Sequence, residues 1–461
     1  MKKISVQILA VIFSAAVLIN LAACNDDNDP GFVPTETIVG LAQQTGDLST
    51  LVAVLTKYPD LVSTLNGSGN FTVFAPTNQA FEALLGAIGQ TSIDDVPEDV
   101  VRTILEYHVI ASGAFRSTDL TNSAVTTVSG EAVQVNVSGG VVLNGNTNVI
   151  QADIEATNGI IHVINNVLVN PSITPIVGTI VAPAYFNKNF TTLIAAVQAA
   201  DGGILEALLA PGTLTLFAPT NDAFDQLPDG LVASLLQPAN QGLLNNVLLY
   251  HALGATVGSA DLPQGSAAIE TLAGTFYLSN NANGVFINGT TRVVATDITG
   301  SNGVVHVIDR TLVPPTETIA EIAVGLATGS SPEFTQLVAA LQRVPDLLNA
   351  AANTEANLTV FAPTDAAFEA LLTALELESV DDIPLDVLTA VLQHHIVGAR
   401  VFSTDLSSGA VPTLNGDITV NVSNLTITDG QGEAANLLTS LLNVHGINGV
   451  IHVIDRVLLP E

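Results

Sequence analysis

The residues of this sequence best suited to chemistry are its histidines, because six of the eight recur as one pair in each of three similar segments. A zinc site typically needs three protein ligands, and an acid–base site needs an acid that orients the imidazole. No acid near these positions is repeated in all three segments. We therefore expect neutral, buried imidazoles that are hydrogen-bonded to the backbone. The pairs are His108 with His162, His251 with His306, and His395 with His452.

His394 and His445 fall outside these pairs, and we expect both at the surface. HExxH, GxSxG, P-loop and CxxC motifs do not occur in the sequence. The only cysteine is Cys24, so an intramolecular disulfide is excluded. We predict a non-enzymatic protein with no catalytic residue, no metal site and no cofactor.

The elements that must position these histidines are repeated with them. A box reading TVFAPTNQAF begins at Thr72 and returns as TLFAPTNDAF and TVFAPTDAAF. The phenylalanine of each FAP triplet (Phe74, Phe217, Phe361) lies 34 positions before the first histidine of a pair. A second box, NGIIHVINNVL from Asn158, recurs 144 and then a further 146 residues along the chain. These distances are too long for solenoid repeats and suit whole domains, so the sequence predicts three domains in tandem.

Each copy begins with helical periodicity and ends with strand alternation. Before the FAP box, apolar residues recur at three- and four-residue steps. The box itself reads as a strand ended by proline, then a helix that Thr77 or Asn78 caps. After one more helix, alternating residues separated by glycine and asparagine turns predict a meander of strands. The predicted fold class is α+β, with short N-terminal helices followed by a mainly antiparallel β-sheet.

The repeated aromatic and histidine positions are predicted to form the core. Val100, Ile104 and His108 follow one another at steps of four, which places them on one helix face. The same steps are found at Leu243, Val247 and His251, and at Val387, Val391 and His395. His162 shares its strand face with isoleucines. The predicted structural core thus contains Phe74, Phe217 and Phe361 together with the six paired histidines.

Domain boundaries follow from another repeated phrase, PTETI, which occurs at Pro34 and again at Pro315. Each occurrence stands before one copy of the boxes, and the middle copy begins near Ile173. We predict domains at residues 35–171, 173–314 and 316–461. The connections are short and contain proline, which suggests stiff joints and a curved or extended rod.

Residues 1–23 have the pattern of a lipoprotein signal peptide: two lysines, an apolar stretch too short for a permanent span, and the closing LAAC. LAAC resembles the bacterial lipobox, in which the cysteine is lipidated, so Cys24 is the predicted attachment site. Residues 24–34 form an acidic, proline-containing tether. We expect an exported protein that a lipid anchors to the bacterial envelope, at the outer membrane or the cell surface.

The charge balance argues against two classes of partner. The sequence contains 11 Lys+Arg against 43 Asp+Glu, which gives a formal net charge of −32. Such a field repels nucleic acid and anionic lipid headgroups. We therefore expect no nucleic-acid partner and contact with a membrane only through the lipid anchor.

Taken together, the FAPTN box, the Tyr-His pairs that begin at Tyr107 and Tyr250, and the NGxxHVID box closely resemble the fasciclin domain. The resemblance covers residues 35–461, as three copies. It implies a compact α+β domain with a wedge-like sheet, a role in cell adhesion or matrix contact, and no established catalysis. In animal members, an Asp-Ile pair just before the last box and the Tyr-His region are linked to integrin binding.

The resemblance therefore implies a set of adhesion residues in the first two copies. In the third copy Asn443 and Val444 replace the Asp-Ile pair, and His394 replaces the tyrosine. We expect that activity least in the third copy. The implied adhesion residues are Asp153, Ile154, Asp297, Ile298, Tyr107 and Tyr250.

Two functions remain open on the sequence. The first is a surface-tethered adhesion or interaction protein whose repeated domains add avidity toward extracellular matrix, a cell-surface protein or a polysaccharide. The second is a structural or glycan-handling accessory subunit of an outer-membrane complex. The first predicts binding that weakens as copies are removed, and the second predicts co-purification with an outer-membrane partner.

Overall fold

The computed structural model describes residues 33–200 and 203–461. The predicted signal peptide, the lipidation site Cys24 and nearly all of the tether lie outside the described residues. Within them, the chain forms three successive units in which helices come first and most strands follow. This order confirms the predicted α+β class.

The first unit packs five helices against one sheet. Its first three helices precede the central strand, and the other two separate that strand from the meander. The helices are α1 (Ile38–Gln44), α2 (Ser49–Leu55), α3 (Pro59–Asn66), α4 (Asn78–Ala87) and α5 (Glu98–Tyr107). The strands are β1 (Phe71–Pro76), β2 (Val109–Ile110), β3 (Ser123–Thr126), β4 (Ala132–Asn136), β5 (Val142–Leu143), β6 (Thr147–Ala156) and β7 (Gly159–Ile164).

The second unit repeats this plan with an extra short helix. Its helices are α6 (Ala182–Tyr185), α7 (Thr191–Ala199), α8 (Ile204–Leu209), α9 (Asn221–Asp225), α10 (Leu231–Leu235) and α11 (Gln241–Tyr250). Its strands are β8 (Leu214–Pro219), β9 (Ala252–Leu253), β10 (Gly265–Thr271), β11 (Gly274–Asn281), β12 (Gly284–Ile287), β13 (Thr291–Gly300) and β14 (Gly303–Ile308).

The third unit has the same helical layer, but its strands divide into two sheets. Its helices are α12 (Ile319–Thr328), α13 (Thr335–Gln342), α14 (Pro345–Ala352), α15 (Asp365–Ala374) and α16 (Leu385–His394). Its strands are β15 (Leu358–Pro363), β16 (Ile396–Val397), β17 (Gly409–Pro412), β18 (Asp417–Asn421), β19 (Thr426–Thr428), β20 (Ala434–Asn436), β21 (Val444–Gly446) and β22 (Gly449–Ile454).

The two sequence boxes form adjacent strands in every unit. The FAP strand β1 pairs in parallel with the last strand β7, and the other pairings of the first sheet are antiparallel. The first sheet runs β2-β1-β7-β6-β5-β4-β3, and the second has the equivalent order. In the third unit β16-β15-β22-β21 and β17-β18-β19-β20 are separate sheets. The expectation of a mainly antiparallel sheet is confirmed.

The FAP box ends a strand and caps a helix, as its sequence predicts. Proline ends the strand, and the Thr77 hydroxyl accepts a hydrogen bond from the backbone N–H of Ala80. Thr220 and Thr364 cap their helices in the same way. The Asn78 side chain instead accepts from the backbone N–H of Thr50 at 2.8 Å, which ties α4 to α2. The repeated polar residues of this box therefore serve the fold.

Apolar side chains cover both faces of each central sheet. On one face they pack against the helices, as Phe81 does in the first unit. On the other face Phe74 and Tyr107 pack with residues of the meander. Phe217 and Phe361 occupy the same layer in the second and third units. Since every FAP phenylalanine is at most 1% exposed, it lies in the core of its unit.

The helical layers of the first two units share one continuous core. At their joint the Gln90 side chain donates to the carbonyl of Pro183 at 3.4 Å. The Lys188 ammonium donates to the carbonyl of Asp94 at 3.0 Å. Because apolar packing and polar contacts both cross this joint, the two units have a defined relative position.

Two helix positions predicted to face the core are instead exposed. Leu243 is 41% exposed and Val387 is 48% exposed, although both follow the four-residue spacing. The equivalent Val100 is only 7% exposed. It lies at the first joint, where it borders the same cavity as Tyr185 of the second unit. Cover by a neighbouring unit, which helical spacing does not encode, explains the difference.

In residues 33–200 and 203–461, no single helix is long and apolar enough to cross a membrane. A bent pair, Ile38–Gln44 with Gly46–Leu55, meets the requirement only when its two parts are counted together. Its apolar side chains, such as Ile38 and Leu48, are buried in the core of the first unit.

Candidate functional site

The first histidine of each pair ties the end of a helix to the segment that follows the last strand. The Nδ1–H of His108 donates to the carbonyl of Ile104 at 2.7 Å. Its Nε2 accepts the backbone N–H of Leu168 at 2.9 Å. His251 and His395 make the same two bonds, to Val247 and Leu312 and to Val391 and Leu458.

The second histidine of each pair lies opposite the FAP phenylalanine on the neighbouring strand. His162 pairs in register with Phe74, and their ring centroids are 5.7 Å apart. Its Nδ1 accepts the backbone N–H of Asp153 at 3.3 Å, and its Nε2–H donates to the carbonyl of Phe115 at 2.9 Å. His306 and His452 repeat this arrangement with Asp297 and Val257 and with Asn443 and Val401.

These bonds require the neutral imidazole, since each ring uses one nitrogen as donor and the other as acceptor. Burial lowers the pKa of His108, His251, His395 and His452 to about 4. Burial also lowers the pKa of His162. In the part of the chain that the structure describes, no group of three or more His, Cys, Asp or Glu side chains is arranged to hold a metal. The paired histidines thus connect backbone segments inside each unit through hydrogen bonds.

A buried threonine, which sequence reasoning missed, adds two further hydrogen bonds to the backbone of the same unit. Thr72 is fully buried, and its hydroxyl donates to the carbonyl of Gly113 at 2.8 Å. The same hydroxyl accepts the backbone N–H of Phe115 at 2.8 Å. Thr215 and Thr359 make the equivalent pairs of bonds. The available signal was a threonine two residues before every FAP phenylalanine, but threonine is also an ordinary strand former.

The aspartate of each Asp-Ile pair forms a clamp at a β-bulge. Asp153 has φ of +60°, and the ladder between β6 and β7 shifts register beside it. The backbone N–H and the hydroxyl of Ser117 each donate to its carboxylate at 2.6 Å. Burial raises the pKa of Asp153, but the bonds from Ser117 outweigh this effect and leave the pKa below its ordinary value. Asp and Asn tolerate this left-handed conformation better than other residues with a side chain.

The second unit repeats the clamp in a more exposed position. Asp297 has φ of +61° and accepts the backbone N–H of Ser259 at 2.8 Å and its hydroxyl as well. These bonds lower the pKa of Asp297. Ile154 and Ile298 are partly buried and pack against the core shared by the helices. Of each predicted Asp-Ile pair, the aspartate therefore lies toward the surface and the isoleucine toward the core.

The predicted role of Tyr107 and Tyr250 in adhesion is corrected by their burial. Tyr107 is 0% exposed and Tyr250 is 1% exposed. Their hydroxyls donate to the carbonyls of Ala132 at 2.9 Å and Thr275 at 3.0 Å. Each ring fills the space between a helix and the meander, so neither side chain is available to a partner.

The third unit uses the equivalent clamp to hold the second unit. Asn443 lies nine residues before His452, as Asp153 does before His162, and has φ of +58°. Its Oδ1 accepts the backbone N–H of Ser403 at 2.7 Å. Its Nδ2 donates to the carbonyl of Gly289 in the second unit at 3.0 Å. Since a carboxylate cannot donate this bond, the interface explains why asparagine replaces aspartate here.

An aromatic cluster surrounds this contact between the second and third units. The guanidinium of Arg400 lies 4.3 Å from the ring centroid of Tyr277. The rings of Phe402 and His445 lie 5.9 Å from that of Tyr277. Cation–π and edge-to-face contacts of this kind stabilise an interface. Sequence reasoning missed Tyr277 and Arg400, because neither belongs to a repeated motif.

The surface positions predicted for His394 and His445 are wrong. His394 is 1% exposed, and its Nδ1–H donates to the carbonyl of Asn415 at 2.6 Å. It fills the core position that tyrosine occupies in the other units. His445 is half-buried at the contact between the second and third units, where burial and the charge of Arg400 lower its pKa to about 3. The repeated pattern gave no information on these two positions because they are specific to the third copy.

We call the surface around each clamp the bulge face: Ser117 and Asp153 in the first unit, Ser259 and Asp297 in the second, and Ser403 and Asn443 in the third. The molecule is therefore a tandem-domain protein. Its repeated motifs form the core and the bulge face of each unit.

This chain belongs to the fasciclin domain family. The family model matches it three times, at residues 46–170, 188–314 and 332–460. These matches confirm the three fasciclin domains in tandem that the sequence motifs predict. The three units described above are accordingly fasciclin domains, referred to below as the first, second and third domain.

Two relatives and one solved structure illustrate the range of similarity. Human periostin is 29% identical over 445 residues, which cover 94% of this chain and 48% of periostin. This chain thus spans about half the length of that relative. The Synechocystis protein sll1483 is 41% identical over 174 residues, which cover 37% of this chain and 89% of that protein. A solved FAS1 domain pair from the insect cell adhesion molecule fasciclin I is 19% identical and covers 59% of this chain and 97% of that pair, with a TM-score of 0.29.

Proposed function

We propose that this protein is a non-catalytic adhesion or interaction protein of the bacterial envelope, and that the bulge faces of its first and second domains contact the partner. The partner is extracellular matrix, a cell-surface protein or a polysaccharide. A lipid on Cys24 anchors the chain to the outer membrane or the cell surface, and residues 24–34 hold the domains away from it.

The observation that carries this proposal is the use of the third bulge face inside the protein. Asn443 of that face donates to Gly289 of the second domain, and Phe402 beside it packs on Tyr277. The same structural position is therefore able to support contact between folded surfaces. Among the residues that the structure describes, the hydrogen bonds of Asp153 and Asp297 stay within their own domains.

The chemistry of the first two bulge faces differs from that of the third. Asp297 is exposed and Asp153 is partly exposed, and Arg116 pairs with Glu155 beside Asp153. Both faces are polar, whereas the third carries aromatic rings. With a net charge of −32, the chain favours a partner that presents hydrogen-bond donors or positive charge to these carboxylates.

The test begins with the chain from residue 25 to residue 461, without the lipid, on an array of matrix proteins and polysaccharides. Binding to the strongest spot is then measured for the double variant Asp153→Asn with Asp297→Asn. We expect affinity to fall at least tenfold and each single variant to be intermediate, because two faces contribute avidity. The fold should be retained, since Asn443 already occupies the same left-handed position in the third domain.

The matched control is Asp229→Asn, which removes one negative charge from an exposed loop of the second domain. It should bind as the parent does. Unchanged binding by the double variant, with normal melting, would refute the role of the bulge faces. An empty array, together with co-purification of an outer-membrane protein from envelope extracts, would favour the accessory-subunit function instead.

A further inference from the structure

The first domain contains an apolar cavity between its helices and its sheet. The volume of this cavity is about 230 Å³. Residues of α1, α2, α3 and α5 line one side, and residues of β1, β2 and β7 line the other, including Ala42, Leu51, Leu55, Val73 and Ile161. An apolar cavity of about 150 Å³ is already large enough to take up benzene. This cavity therefore has room for a larger hydrocarbon group.

The cavity reaches the surface at one edge. Its lining includes the exposed residues Thr64, Ala111 and Val128 and the partly exposed Glu106. Val128 is 45% exposed, which makes it one of the larger exposed apolar side chains of the chain. The mouth of the cavity therefore lies between α3 and the segment at Val128.

The polar groups of the lining already have hydrogen-bond partners. Both ring nitrogens of His108 are bonded to the backbone. The Thr64 hydroxyl donates to the carbonyl of Asp60, and the Glu106 carboxylate accepts from Arg102 at 2.9 Å. A polar ligand would therefore lose its own hydrogen bonds to water without replacement, which is unfavourable. A hydrocarbon ligand loses none and gains apolar contact.

The charges at the mouth select further among apolar ligands. Of these charged groups only Glu106 lines the cavity; its partner Arg102 also pairs with Asp60, so two carboxylates share one guanidinium and leave a net negative charge beside the mouth. A fatty-acid carboxylate at this mouth would be repelled, and the whole chain at −32 adds to the effect. A neutral head group meets no such repulsion.

Comparison with the second domain shows that the volume of this cavity differs between domains of the same fold. Its equivalent cavity, which His251 and Leu193 line as His108 and Leu51 do in the first domain, measures about 70 Å³. Leu249 stands two residues before His251, where Glu106 stands before His108. The larger volume and the charged mouth therefore belong to the first domain, and the two domains provide an internal comparison.

We propose that the cavity of the first domain binds a neutral small molecule with a hydrocarbon body larger than benzene. The polar end of this ligand lies at the mouth near Glu106 and Val128. This binding is separate from contact through the bulge faces, which lie outside the cavity lining.

The test uses 1-aminoanthracene, a neutral probe whose fluorescence rises in apolar surroundings, with the chain from residue 25 to 461. We expect saturable binding at one site. 1-Decanol should displace the probe at a concentration at least tenfold lower than decanoate does. Leu51→Phe and Ala42→Leu each fill the cavity from a different helix, and either should weaken probe binding at least tenfold while leaving the melting temperature unchanged or higher.

The control is Val387→Ser, which makes an exposed apolar groove of the third domain more polar. It should leave probe binding unchanged. The proposal is overturned if the folded filling variants bind the probe as the parent does, or if Val387→Ser abolishes binding. Displacement by decanoate as strong as that by decanol would overturn the preference for a neutral ligand.

Discussion

Acidification tests the buried histidines most directly, and the third domain should respond most strongly. The pKa values of His395 and His452 are lowered to about 4, and that of His445 to about 3, chiefly by burial. In an unfolded chain, histidine titrates near pH ~6.5. Between about pH 6.5 and 4 the unfolded chain therefore binds protons that the folded domain does not. The free energy of unfolding must fall as the pH falls through this window.

The expected magnitude follows from the size of the shifts. One pH unit is worth ~1.4 kcal/mol for each such histidine. At a pH two units below the unfolded pKa, each loses roughly 3 kcal/mol, and three in one domain lose on the order of 8 kcal/mol. Whole domains are stable by only about 5–15 kcal/mol. In the first domain His108 and His162 contribute to the same loss, so the third domain should unfold at the higher pH.

The assay is hydrogen exchange read by mass spectrometry from about pH 7.5 to 4.5, corrected for intrinsic exchange, because its peptides report each domain separately. Urea unfolding followed by far-ultraviolet circular dichroism gives the overall stability at each pH. The variant His395→Gln isolates one histidine. Its side-chain amide can donate to Val391 and accept from Leu458 as the neutral imidazole does, but it does not titrate.

His395→Gln should cost about 1–2 kcal/mol at neutral pH and make the pH slope of the third domain shallower by ~1.4 kcal/mol per unit. Reduced repulsion among the many carboxylates acts in the opposite direction at low pH, but equally in parent and variant. The difference between their slopes is therefore the decisive quantity. Equal slopes in parent and variant would refute the neutral state of His395 in the folded domain. A third domain as acid-resistant as the first would contradict the expected order of unfolding.

Three further changes test the joints and the bracing. Asn443→Asp should weaken the contact between the second and third domains by about 2 kcal/mol, because a carboxylate would face the Gly289 carbonyl. Faster proteolysis between these domains would detect the change. As a control, Asp297→Asn at the equivalent position of the second domain should leave the contact intact. Tyr277→Ala should increase the radius of gyration in solution scattering without lowering domain melting, since its ring packs mainly across the joint. Thr72→Val should cost about 1–3 kcal/mol in urea unfolding of the first domain, because the partly buried carbonyl of Gly113 and N–H of Phe115 lose their common partner.

Much of the internal architecture of each domain could be predicted from the sequence. The FAP and NGxxHVID boxes identified the two strands that pair in parallel, and period-two alternation placed Phe74 and His162 in the core. Capping chemistry identified Thr77. These predictions depend on short-range rules of strand and helix geometry, which the order of residues contains directly.

Other assignments failed where one domain meets another or where the copies differ. Leu243 and Val387 follow the same spacing as Val100 and yet are exposed. His445 is partly buried because the second domain packs on the third. The assignment of Tyr107 to adhesion failed for a different reason: it came from the family resemblance, whereas the ring fills a core position within its own domain.

The sequence by itself determined three copies of one α+β fold, their order, and the inward direction of the paired histidines. The tertiary structure alone decided which bulge face contacts another described domain, which helix residues a neighbouring domain covers, and how large the equivalent cavities of the first two domains are. The physical reason is that periodicity records which side of an element faces its own sheet. The burial of a helix face by a neighbouring domain and the volume of a cavity depend instead on contacts between residues far apart in the chain. No local pattern encodes those contacts.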